Sequence, residues 1–199
     1  MKRLVAEFIG TFALVFAGTG AIVIDEVTGG AVTHVGAALT FGLIVLAMIY
    51  TLGDISGAHI NPAVTVGFCF SGRFAAHDVL PYVASQCAGA LAASGVLRFL
   101  FPQNRLLGTT LPAGPPLQSF VLEFLLTAIL MFVILPVSTG SRDKGITAGI
   151  VVGSVIALEA MFAGSICHLQ NLWIYLAAPV AGAFAGVFVC RYVREKGCC

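Results

Sequence analysis

Set among long apolar runs is one polar stretch, Ser56-Gly57-Ala58-His59-Ile60-Asn61-Pro62-Ala63-Val64-Thr65. Its residue types favour a capped turn. Asn61 can serve as a helix N-cap, and Pro62 suits the first helical position, where its missing N–H is no loss. The apolar run that follows, to Phe70, is about ten residues from Asn61, or roughly 15 Å, half of a hydrocarbon core about 30 Å thick. The expectation is a half-helix starting near the midplane with its positive end pointing inward. Irregular backbone at that depth survives only inside protein or along a wet cavity. His59, two residues before Asn61, could gate such a cavity by protonation; a bonded histidine steadying the turn is the plainer reading.

Two carboxylates share this apolar setting. Glu7 and Glu123 fall inside predicted spans, where a charge costs about 2.5–3.5 kcal/mol on insertion scales. A proton relay is one role; accepting backbone N–H bonds from a re-entrant loop is the other, and their matched positions favour the structural role. Glu159 has Met48 as its counterpart, so a pore role for it stands level with a structural one. Asp54 is expected to help start the loop, because Asp readily bonds nearby backbone. Cys69, Cys87 and Cys190 read as buried apolar residues. The sequence shows no phosphate loop, Ser/His/Asp set or zinc-type cysteine spacing, so no enzyme activity, cofactor, metal or nucleic-acid partner is expected.

The elements that must hold these residues are membrane helices. The chain has 199 residues, 59% hydrophobic and 10% charged, against about 25% charged in soluble domains. Six spans are predicted near 4–24, 34–53, 79–101, 118–137, 146–166 and 172–192. The first follows Lys2 and Arg3 but outlasts a signal-peptide core, so it stays a membrane helix. With both termini in the cytoplasm, that side holds Lys2, Arg3, Arg73, Arg142, Lys144, Arg191, Arg194 and Lys196, and the other holds only Arg98 and Arg105. This distribution satisfies the positive-inside rule. Ser141 to Lys144 reads as a cytoplasmic loop and 112–116 as a linker.

The spans repeat. Glu7-Phe8 and Thr11 return as Glu123-Phe124 and Thr127; Gly42 and Gly53 return as Gly153 and Gly164; Tyr82, Gly89 and Ala90 return as Tyr175, Gly182 and Ala183. Three spans per half is odd, so the halves (1–112 and 113–199, within one domain over 1–199) are oppositely oriented, an architecture that brings substrates to the midplane between them. The fold class is all-α integral membrane, with six transmembrane helices in an inverted 3+3 repeat and one re-entrant half-helix. The offset between matched residues is 111 at Gly53 and 93 at Tyr82, so the second half is short by 18 residues. A second turn and half-helix would sit there; 164–171 contains no Asn-Pro-Ala.

These residues resemble the major intrinsic protein family of aquaporins and glycerol facilitators. The likeness runs through Ala6 to Phe12, Ser56 to Thr65 and Leu172 to Pro179, with the texture of bacterial nodulin-26-like members. It implies a channel for water and small uncharged solutes, glycerol included, in a plasma (inner) membrane, usually a homotetramer with one pore per protomer. By position, Asn61 would donate amide hydrogens to passing oxygens, and Pro62, Ala63 and His59 would be pore residues beside it. Phe41 and Ala160 would fill two of four filter positions, and Ala160, in place of a bulky group, would widen the constriction. The other two positions, including the family's arginine, lie in the segment this chain lacks.

That departure leaves three readings: a loop present in the natural protein, a true deletion with a defective or leaky pore, or a non-conducting subunit whose helices close the gap. A secondary transporter is the other alternative, since such proteins also use inverted repeats and broken helices.

Overall fold

The computed structural model describes residues 1–109, 115–138, 142–164 and 172–194. Among the described residues seven helices follow in order: α1 (Lys2–Thr28), α2 (Thr33–Ser56), α3 (Pro62–Phe70), α4 (Ala76–Leu100), α5 (Pro116–Val137), α6 (Arg142–Ala163) and α7 (Leu172–Val193). Five of them, α1, α2, α4, α5 and α7, are apolar over a length sufficient to cross a membrane; the apolar stretch of α6, Thr147–Ala163, is shorter. α6 begins at Arg142, so residues 142–144 of the loop expected over 141–144 are helical, and 141 lies outside the described residues. Most of the linker at 112–116 and of the turn at 164–171, with the cysteines at the chain's end, falls outside the described residues.

Helix ends follow local chemistry. α1 stops at Gly29 and α2 at Gly57, each left-handed with φ of 71° and 85°, conformations that glycine adopts without steric penalty. α3 starts on Asn61, whose extended backbone and side-chain oxygen cap it, with Pro62 in the first turn.

The packing has an internal two-fold character. α1 lies against α4 and α5 against α7, while α2 lies against α6. A Cβ at Gly89 would collide with the carbonyl of Phe8, and one at Gly182 with the carbonyl of Phe124; these are matched pairs in the repeat. Gly42 and Gly153, also a matched pair, touch each other. A Cβ on Gly153 would lie 2.6 Å from the Gly42 carbonyl, and one on Gly42 would overlap Gly153 and come within 2.6 Å of the Ala157 Cβ. Equivalent residues can meet only where the symmetry axis passes, so the α2–α6 crossing marks the junction of the halves. Small residues permit such close backbone approach in lipid, where packing rather than water drives association. The short α3 is clasped by α4, α5 and α7, and its Val64 joins Leu130, Met131, Leu135, Ala183 and Val187 in the core.

Gly42→Val should therefore force the α2–α6 crossing apart and lower stability by about 1–3 kcal/mol. Gly53→Ala, which meets nothing within 4 Å, should be neutral or stabilising by up to about 1 kcal/mol. Thermal unfolding of the two variants in detergent checks the contrast.

Candidate functional site

The segment between α2 and α3 is built around one carboxylate. Glu7, on α1 and fully buried at 0% exposure, accepts four hydrogen bonds. Ser56 Oγ (2.7 Å) and the His59 N–H (3.0 Å) donate to Oε1; the Ile60 N–H (2.7 Å) and Gln86 Nε2 (2.7 Å) donate to Oε2. The Ala58 N–H in turn donates to Ser56 Oγ at 3.1 Å. Ser56 thus opens the loop, and Asp54, expected in that part, stands exposed on α2. Ala58 and Ile60 take positive φ of 45° and 43°, a conformation costing about 1–3 kcal/mol and tolerated where surroundings over-determine it. Gly10, one turn beyond Glu7, leaves the space that the Ile60 side chain fills: a Cβ there would come within 2.5 Å of Ile60 Cγ2.

This loop directs its polarity to one side. The N–H groups of Ala58, His59 and Ile60 all point toward Ser56 or Glu7. In a trans peptide the carbonyl opposes its N–H, so the carbonyls of Gly57, Ala58 and His59 face the other way. There a cavity lies, lined by Gly57 through Asn61, by Leu14 of α1, Val45 and Ile49 of α2, and Val64 and Phe68 of α3. Leu130, Ile134 and Val137 of α5 and Ala148, Val152 and Ile156 of α6 complete it. The wall is apolar except for this row of acceptors, Asn61 and Ser138, which also lines it.

Asn61 supplies the donor. Its Oδ1 accepts from the N–H groups of Ala63 (2.8 Å) and Val64 (3.4 Å), which fixes the amide orientation and turns its NH2 outward. The backbone N–H groups of Ala63 and Val64 at the start of α3 are thereby taken up, which leaves the carboxamide of Asn61 to face the cavity it lines. Pro62 occupies the first turn and Ala63 is buried. Thr65, at 0% exposure, donates to the Asn61 carbonyl and accepts from Gln86 Nε2, both at 3.0 Å.

His59 is buried in an aromatic cage. Its ring stacks on Phe68 at 4.6 Å and packs against Phe74 and Tyr82 at 4.8 and 5.3 Å, and Nδ1 lies 3.2 Å from Thr65 Oγ1. Behind it, Tyr82 OH donates to the Ser56 carbonyl at 2.9 Å, and Arg3 Nε donates to Tyr82 OH at 2.8 Å. The Arg3 guanidinium also meets Asp78 at 3.2 Å and lies over the Tyr82 ring.

The remaining sequence-selected residues sit apart from the loop. Phe41 and Ala160 are one helical turn beyond the cavity-lining residues Val45 and Ile156, on the same faces of α2 and α6. Glu123 is half-buried on α5, within electrostatic reach of Glu159, and Glu159 Oε1 is enclosed without a hydrogen-bond partner among the described residues. Cys87 is exposed rather than buried, Cys69 is half-buried, and Cys190 is enclosed in the core and disulfide-bonded. Gln86 and Arg3 escaped the sequence reading as site residues. A signal existed for Gln86, an amide in an apolar span one turn after Tyr82.

The Major intrinsic protein family model matches residues 1–169, and the chain belongs to that family. Aquaporin NIP1-3 of Oryza sativa subsp. japonica is 41% identical over 212 residues, covering 97% of this chain and 74% of the relative. Nodulin-26 of Glycine max is 40% identical, covering 98% and 78%. The rice match takes up about 193 of the 199 residues here, leaving about 19 aligned positions to the relative alone. The aquaglyceroporin of Plasmodium falciparum superposes with a TM-score of 0.79 at 22% identity over 96% of this chain and 94% of that one, a likeness of fold.

Glu7→Ala would leave two backbone N–H groups, Ser56 and Gln86 without their acceptor. We expect a loss of about 3 kcal/mol or more, since each buried group left unpaired costs about 1–3 kcal/mol. Denaturant unfolding compares it with Glu7→Gln, which keeps one acceptor oxygen and should lose less.

Proposed function

We propose that this chain is a passive transmembrane channel for water and small uncharged solutes, and that Asn61 and the loop carbonyls form its polar contact line. The observation that carries the reading is the largely apolar cavity in which a row of loop acceptors ends at the carboxamide donor of Asn61. A passing oxygen accepts from the Asn61 NH2, while its hydrogens, or a polyol's hydroxyls, find the carbonyls of Gly57, Ala58 and His59. The N-terminus of α3 adds positive potential at that point, which opposes cations. Pro62 and Ala63 fix the cap; His59 and Glu7 hold the loop that carries the acceptors. Phe41 and Ala160 form the constriction one turn outward, and Glu123 is a structural acceptor of the second half.

Cytoplasmic placement of both termini is supported by the eight-to-two distribution of basic residues; the plasma membrane rests on family likeness. The homotetramer rests on family likeness. With one half-helix among the described residues, α3, the barrier to cations comes from a single helix dipole.

Stopped-flow light scattering of proteoliposomes tests the reading. Wild-type protein should speed osmotic shrinkage with a low activation energy, indifferent to imposed proton or sodium gradients. Gradient-driven uptake would instead identify a transporter, and unchanged permeability a non-conducting subunit. Asn61→Asp puts a carboxylate at the donor position and should raise cation leak while reducing water flux; equal selectivity in both proteins would remove Asn61 from the path.

A further inference from the structure

We infer that Gly18 of α1 is a specificity-determining residue of the channel: its missing side chain is the notch in which the Phe41 ring is seated, which sets how far the ring reaches into the constriction. The inference rests on the channel reading for its functional consequence and on packing for its physical content.

Leu14 on α1, Val45 on α2 and Ile156 on α6 line the cavity. Because α1 and α6 rise where α2 descends in the inverted arrangement, one turn outward from each reaches Gly18, Phe41 and Ala160. These three residues therefore share one level, beyond the loop as seen from the cavity. A Cβ placed on Gly18 would overlap the Phe41 ring at Cε1, Cδ1 and Cζ, the last at 2.5 Å. No real Cβ tolerates such distances, so the ring occupies space that only glycine leaves open.

The direction of displacement follows from helix geometry. In an α-helix χ1 near +60° drives an aromatic ring into the preceding turn, so Phe41 has little choice but to swing away from α1. α2 packs between α1 and α6, and the ring would cross toward Ala160, whose methyl group leaves that side open. Gly18 and Ala160 thus set the free width together: one lets the ring retreat, the other leaves its far side vacant. A hydroxyl or methyl at position 18 closes the gap without touching a solute.

Gly18→Ala, Phe41→Ala and the double variant provide the test, with wild type alongside. The Gly18→Ala ring position is read from an electron cryo-microscopy map, and water and glycerol permeabilities from stopped-flow proteoliposomes. The ring should move toward Ala160. Glycerol flux should fall by about tenfold or more, the discrimination that one carbon of space produces in a fitted site, with water reduced less. Adding Phe41→Ala should restore glycerol flux, because the effect passes through the ring. An unmoved ring overturns the inference, and so does a double variant as impaired as Gly18→Ala alone, which would make residue 18 act directly or through helix packing. A wild-type protein without permeability would instead sink the channel reading, and the ring position would still decide the packing claim.

Discussion

One buried carboxylate makes the rest of this structure feasible. Backbone that leaves the helical pattern inside a bilayer has no water to satisfy it, and here residues 57–61 do so, three of them (Gly57, Ala58 and Ile60) with positive φ. Glu7 answers the problem by accepting two loop N–H groups along with Ser56 and Gln86. Its charge strengthens each bond and fixes which face of the loop turns inward. Because all donors face α1, the carbonyls face the cavity. The polar row along the cavity is thus a by-product of where a single side chain stands on the first helix.

A second layer supports the first. Gln86 joins Glu7 to Thr65, and Thr65 joins the loop to the first turn of α3. Tyr82 and Arg3 hold the loop from the other end. The second half retains Glu123, Thr127 and Tyr175 at matched positions, yet Ser119 stands where Arg3 would recur and Pro179 where Gln86 would. The braces are missing along with the loop they would brace. The two deficits are consistent: a carboxylate network of this kind has no purpose without a loop to satisfy, and among the described residues the loop lining the cavity belongs to the first half.

Much of this was legible in the residues themselves. The Asn-Pro step announced a cap and a helix start, the short run to Phe70 a half-helix, and the recurring glutamates and glycines the repeat. These signals are local or periodic, so single-sequence reasoning reaches them. The direction of the loop carbonyls was not legible, because it depends on left-handed backbone at Ala58 and Ile60, residue types that seldom adopt it. Nor did sequence place Gln86, whose role comes from a neighbour 79 positions away. Cys87 illustrates a different limit: in a membrane protein an apolar position can face lipid as readily as the core, so composition does not tell inside from outside. The Gly18–Phe41 seat was hidden for the same reason as Gln86, being a contact between two helices and not a pattern within one.

The meeting of Gly42 with Gly153 carries a consequence for how such a chain could arise. A contact between equivalent residues across a two-fold axis is isologous: the same patch serves as both partners. A single three-span unit bearing that glycine would offer its bare backbone to an upside-down copy of itself, with no new surface required. Fusion of two such units into one polypeptide would preserve the crossing unchanged, and either unit could then diverge in its loops, as the second has here, while the seam between them stayed shut.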